Sequence, residues 1–130
     1  MIVRISDDAL ARALGADELA AAFVRKGHEV HRTSSWGMLW LEPLVEIDGL
    51  GFGPATVGDV DAILEQTPSP SGEREMWGRE IVEHPFIARQ QRLTFARAGQ
   101  TRPTSLEDYL ATGGGVGLRR ARAKIGRAHV

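Results

Sequence analysis

Hydrophobic and polar positions change period several times along the chain, and each change marks an element. Met1–Ile5 is short and β-branched, which predicts a strand. From Ala16 to Lys26 the apolar positions Ala16, Leu19, Ala20 and Phe23 fall three and four residues apart. That spacing puts them on one face of a helix. Asp17 and Glu18 near its start and Arg25 and Lys26 near its end suit the helix dipole, and Gly27 stops it. Glu29–Thr33 then predicts a second strand, parallel to the first. Leu39–Leu41 and Leu44–Ile47 are apolar and straddle Pro43. Asp48-Gly49 predicts a tight turn, with Leu50–Gly53 returning as a hairpin strand. Thr56 is placed to cap a helix over Asp59–Gln66, with Val57, Val60, Ile63 and Leu64 facing inward. The fold class expected is α/β: a small β-α-β-β-α unit over residues 1–66.

The pattern weakens after Gln66. Residues 67–72 are rich in Pro, Ser and Gly and have no apolar period, so 67–84 is expected to be a linker. Within it, Glu73–Glu83 predicts a helix ended by Pro85. Pro85–Gln91 predicts a short helix or loop, and Leu93–Ala96 reads as strand-like. Ser105 resembles a helix cap, with Asp108 in the reciprocal place. Leu106, Tyr109 and Leu110 form an apolar stripe behind it. Gly113–Gly117 stops that helix, and Leu118–Lys124 opens another. Residues 85–124 hold too few apolar positions to bury a core alone. They read as an appendage of the first unit or as the start of a further, mostly helical, domain.

Composition narrows the chemistry. There is no cysteine, which excludes disulfides, thiol catalysis and any Cys-ligated metal in these residues. Sixteen Lys/Arg against seventeen Asp/Glu give a net charge of −1, which argues against broad binding to a phosphate backbone. No apolar run approaches the roughly 18–20 residues of a membrane helix. Asp7 and Asp8 follow the short apolar start at once, unlike a signal peptide, so a cytoplasmic location is expected.

Few residues invite a chemical reading. His28 and His31 lie three apart in or beside a strand and point to opposite faces, so they are not expected to share a metal. His84 and His129 are isolated. Gly113–Gly117 is followed by Leu118 and Arg119, not by the Lys-Ser/Thr of a phosphate loop, and reads as a connection between helices. Arg119, Arg120, Arg122, Lys124 and Arg127 suit a helix of a larger domain better than a nucleic-acid tail. Ser6, Ser34 and Ser35 have no general base near them in sequence. Trp36 and Trp40, beside Met38 and Leu41, form either a packed loop or a protein contact.

One spacing carries more. Ser6, Ala11 and Gly15 fit C-x4-C-x3-G; Ser35, Gly37, Leu39 and Pro43 fit C-x-G-x-C-x3-P. Cysteines at Ser6, Ala11, Ser35 and Leu39 would hold an iron–sulfur cluster. With Val3–Ser6, Gly15–Leu19, Pro43–Ile47 and Gly53–Ile63, this frame resembles the thioredoxin-like [2Fe-2S] domain of the 24-kDa-type subunit of respiratory NADH dehydrogenases, with all four ligand positions lost. Arg89–Arg97 and Ser105–Gly114 resemble the lead-in to the flavin- and NADH-binding 51-kDa-type subunit. The two together are similar to the beta (diaphorase) subunit of NAD-dependent formate dehydrogenases, most closely at Gly37–Glu46 and Gln90–Arg97. Gly115 departs from the family, which usually has an aromatic there.

The resemblance implies an N-terminal piece: a cysteine-free thioredoxin-like domain over 1–66, a linker over 67–84 and a partial flavin-domain lead-in over 85–124. It implies no catalytic, cofactor-binding or metal-binding residue in this stretch. FMN, a [4Fe-4S] cluster and NAD belong to parts of the family's subunit further on. The implied partners are the alpha (molybdenum) subunit and the [2Fe-2S] gamma subunit, with neither nucleic acid nor membrane. A related NADH dehydrogenase or hydrogenase diaphorase, and a stand-alone thioredoxin-like binding module, are the alternative readings. Ile125–Val130 reads like translated sequencing adapter and is expected to be an artefact.

Overall fold

The computed structural model describes residues 1–125; the expected adapter tail beyond Ile125, with Arg127 and His129, lies outside the described residues. Five strands form one mixed sheet: β1 (Ile2–Ser6), β2 (Glu29–Thr33), β3 (Val45–Ile47), β4 (Leu50–Gly53) and β5 (Met76–Glu80), in the spatial order β2-β1-β3-β4-β5. β1 and β2 are parallel, and the other neighbours are antiparallel. The helices are α1 (Ala9–Ala13), α2 (Ala16–Arg25), α3 (Val60–Glu65), α4 (Pro85–Ala88), α5 (Leu106–Ala111) and α6 (Val116–Lys124). Residues 1–66 run β-α-α-β-β-β-α, one helix and one strand more than the expected β-α-β-β-α, and the chain is a small α/β domain followed by short helices.

Alternation along the strands sorts the core into two layers. Val3, Ile5, Val45, Ile47 and Phe52 point to one face and pack with Leu19 and Phe23 of α2 and Val60 and Ile63 of α3. The other face is built against glycines. A Cβ on Gly51 would stand 2.8 Å from Ile81 and 2.9 Å from Met76. Those two residues join Met38, Leu41, Leu44 and Ile87 in a second buried cluster. The β3–β4 hairpin turns through Asp48 and Gly49, with φ of 51° and 85°. Paired positive φ values match the right-handed twist of the strands, and Asp-Gly supplies them at low cost.

Several expectations are corrected. Glu73–Glu83 is not a helix: Met76–Glu80 is β5, pairing with β4, and only Ile81–Glu83 turns as 3-10 helix. The stretch 67–84 is therefore part of the sheet as well as a connection. Sequence pattern missed β5 because Gly78, at φ 67°, is a bulge that breaks the two-residue alternation. Leu93–Ala96 is a bend and turns, not a strand, with Leu93 91% exposed. Val57 is exposed, since it sits in a 3-10 turn ahead of α3 and not on the helix's inner face. Ser105 does cap α5, accepting from Asp108 N at 3.1 Å, but the Asp108 carboxylate accepts from Arg102 N instead of returning to Ser105. α1 was not anticipated, its five residues being too few to show a period. Beyond Pro85, Ile87 is the buried large apolar side chain among the described residues, in keeping with a segment that builds no core of its own.

Candidate functional site

The four positions of the cluster frame do not form one site. Ala11 is fully buried among core side chains of the helical layer. Leu39 is 55% exposed on a 3-10 turn. Ser6 and Ser35 both line a void of about 10 Å³, together with Arg4, Thr33, Trp36, Glu42, Leu44 and Glu46. A void of that size holds one water at most. Hydroxyl, methyl and isobutyl groups supply none of the thiolates a cluster needs, so these residues do not fit an iron–sulfur centre. Among the described residues no three His, Asp or Glu side chains gather to hold a metal ion.

A carboxylate network joins the two loops of the frame. Asp8 N donates to Ser6 Oγ at 3.1 Å, and Ser35 N donates to Asp8 Oδ2 at 2.8 Å. Ser35 Oγ donates to Glu42 Oε1 at 2.7 Å, and Leu44 N donates to Glu42 Oε2 at 3.0 Å. Glu42 is only 5% exposed. Burial pushes its carboxyl above the ordinary range, against the opposing pull of the Ser35 and Leu44 hydrogen bonds. Ser35 and Glu42 thus make a hydroxyl–carboxylate pair that the sequence did not reveal, since nothing marks a Glu seven residues after a Ser. Ser35 and Asp8 also border an open depression of about 740 Å³ shared with Leu93–Ala98, but the pair itself is taken up in hydrogen bonds. Its chemistry is that of a staple between the turn after β1, the loop after β2 and the approach to β3.

A second buried carboxylate was missed for the same reason. Asp59 is 1% exposed and takes Arg74 in a two-pronged pair, at 3.0 and 3.1 Å. Thr56 N and Oγ1 add bonds at 2.8 and 2.9 Å. Burial alone would raise the Asp59 carboxyl, but Arg74 and Thr56 together hold it below its ordinary range.

The remaining sequence candidates resolve individually. His31 pairs with its neighbour Glu29 on the surface at 2.6 Å, and His28 does not join them. His84 Nδ1 accepts from Phe86 N at 3.1 Å, which leaves Nε2 to donate to Glu75 Oε1 at 2.7 Å. With both ring nitrogens engaged, His84 is neither a free base nor a metal ligand. Ser34 is likewise occupied, accepting from Gly99 N and donating its own N–H to Thr101 O. The glycine run is packing: a Cβ on Gly114 would lie 2.3 Å from Tyr109 O, and Gly114 N and Gly115 N both donate to Tyr109. Those amides are not available to a phosphate.

The two tryptophans separate. Trp36 lies under Gly99 and is bridged by Arg92, whose Nη2 donates to Trp36 O at 2.7 Å. Trp40 stays 49% exposed, edge-on to Phe86 at 5.1 Å, with its Nε1 donating to Glu75. No helix among the described residues is long and apolar enough to cross a membrane. The chain matches no model of a known protein family, and no curated protein sequence matches it.

Proposed function

We propose that the chain is the N-terminal part of the diaphorase subunit of a cytoplasmic NAD-dependent formate dehydrogenase, acting as a scaffold and subunit-contact region. In the complete enzyme, electrons from formate pass through iron–sulfur centres and FMN to NAD+. The observation that carries this reading is the junction of Ser6 and Ser35. Two loops with cluster-frame spacing lie side by side on the α/β unit of residues 1–66, and Asp8 and Glu42 hold them together. That is the expected form of a ferredoxin-like unit that has exchanged its cofactor for a protein cross-link. The exposed stripe of Leu106, Tyr109 and Leu110 supports the lead-in role, since these side chains are 70%, 46% and 51% exposed.

Two measurements test it. The purified chain is expected to carry neither flavin absorbance nor iron, and to oxidise no NADH. Stoichiometric FMN on it overturns the placement of the cofactors elsewhere. Co-expression with a formate dehydrogenase molybdenum subunit and [2Fe-2S] subunit is expected to give a complex that co-purifies; three separate proteins overturn the assignment. A second reading, a stand-alone protein-binding module, is favoured by the exposed Trp40 and Phe86 pair. Sequencing the locus separates the two. A reading frame that runs on into a glycine-rich flavin loop and a cysteine run supports the first, and unrelated sequence supports the second.

A further inference from the structure

We propose that the groove beside β5 is an association site for a second copy of this chain, filled by α6 of that copy. The groove has a volume of about 730 Å³, with Leu50, Met76 and Pro85 on its walls. Three carboxylates, Glu75, Glu80 and Glu83, line it against the single guanidinium of Arg79. Glu75 is already engaged by Trp40 and His84, whereas Glu80 and Glu83 have no cationic partner among the described residues. Trp40 and Phe86, 49% and 41% exposed, extend the apolar surface at one end.

The chain itself carries the complement. α6 has nine residues and no buried side chain. It is about 14 Å long at helical rise. Arg119, Arg120, Arg122 and Lys124 project from it, and none has a carboxylate partner among the described residues. Leu118, 65% exposed, and Ala121 share one side by three-residue spacing. An apolar ridge flanked by cations matches an apolar groove rimmed by acids. α6 does not line the groove of its own chain, so the match is made between chains. The net charge of −1 leaves two copies with little overall repulsion. Reciprocal exchange, in which each copy lends α6 and receives one, closes the pair about a two-fold axis. The association does not depend on the redox parentage proposed above.

Sedimentation of the full chain tests it. A dimer is expected at about 0.1 M salt and dissociation at about 1 M, where the screening length falls from about 10 Å to about 3 Å. Reversal of the helix charges (Arg119→Glu with Arg122→Glu) or of the rim (Glu80→Lys with Glu83→Lys) is expected to weaken self-association at least about tenfold. Mixing the two reversed chains is expected to form a heterodimer with both contacts complementary again, reversed helix on reversed rim and native helix on native rim. All four positions are exposed, and circular dichroism on each variant keeps folding and association separate. A monomer at low salt at every concentration, a dimer indifferent to either reversal, or reversed chains that do not pair overturns the proposal.

Discussion

The Ser35 hydroxyl donates to Glu42 Oε1 at 2.7 Å, joining the loop after β2 to the approach to β3. Both Glu42 oxygens face donors, Ser35 Oγ and Leu44 N. The ionised carboxylate is therefore hydrogen-bonded but poorly hydrated. Because burial raises the folded value above the ordinary 4.5, the folded chain holds this proton more tightly than the unfolded chain does. The sign follows. Stability from this group falls as pH rises from the ordinary value through the folded one, and levels off above it. Glu42→Gln keeps an acceptor for Leu44 N and does not titrate. Its stability relative to the native chain is expected to improve across that window, with urea unfolding at a series of pH values as the measurement. Glu42→Leu leaves the buried Leu44 N and the half-buried Ser35 hydroxyl without their acceptor and is expected to cost about 1–3 kcal/mol. A Gln-minus-native difference that does not vary with pH sinks this account.

Asp59 and Arg74 behave in the opposite sense. The folded Asp59 carboxyl lies below its ordinary 3.8, so its contribution is present above that value and is lost as pH falls through the folded one. Asp59→Asn leaves the Arg74 guanidinium, 13% exposed, without its charge partner. A loss of about 3 kcal/mol is expected in urea unfolding at neutral pH. The variant is also expected to resist acid differently, losing less stability than the native chain below the ordinary value. Equal acid sensitivity in the two chains contradicts the pairing.

These two carboxylates mark where sequence stops being informative. α2 was legible because Leu19 and Phe23 repeat at helical spacing against a long enough window. The hairpin was legible because Asp48-Gly49 names its own turn. β5 was not, because Gly78 breaks its period and its apolar residues divide between faces: Met76 enters one cluster and Trp77 packs on the other. Arg74 fell in a stretch that reads as solvated connection, and only the fold brings it back to Asp59 across fifteen positions. Glu42 precedes Pro43 and carries no sequence signal of its burial. The candidate site was thus half visible: the frame residues Ser6 and Ser35 were identified by spacing, and the acids that bind their loops together were not.

Gly99 fixes the later part of the chain onto the sheet. Its backbone has φ of 82°, and a Cβ there would fall 2.3 Å from the Trp36 ring. Gly99 N also donates to Ser34 Oγ at 3.0 Å. Gly99→Ala combines left-handed strain of about 1–2 kcal/mol with a ring clash. The expected result is local release, not global unfolding. Amide exchange is expected to speed up over 97–102 and at Ser34, whose N–H bonds Thr101 O, while the amides of β1 and β3 stay protected. Trp36 emission is expected to shift to the red as the ring gains water. Unchanged exchange at Ser34 counts against a docked loop.

Phe52 and Trp77 are directly paired across β4 and β5, with ring centroids 5.4 Å apart and planes at 88°. Trp77 also donates Nε1 to Thr67 O at 2.9 Å and lies under the Arg74 guanidinium at 4.9 Å. One side chain therefore fastens β5, the 67–75 connection and the Asp59 pair to the helical layer of the core. Trp77 is only partly buried, so Trp77→Ala is expected to cost less than a full core deletion, about 2 kcal/mol. The edge-to-face term is isolated by a cycle with Phe52→Leu, which keeps an apolar side chain at a fully buried position. A coupling of about 0.5–1.5 kcal/mol is expected from such a pair. The same cycle run with Arg74→Met in place of Phe52→Leu separates the cation contact. If β5 were a loosely attached edge, both couplings would vanish and Trp77→Ala would leave the urea midpoint unmoved. Coupling to Phe52 together with loss of Arg74's hold on Asp59 is the signature of a strand that belongs to the domain.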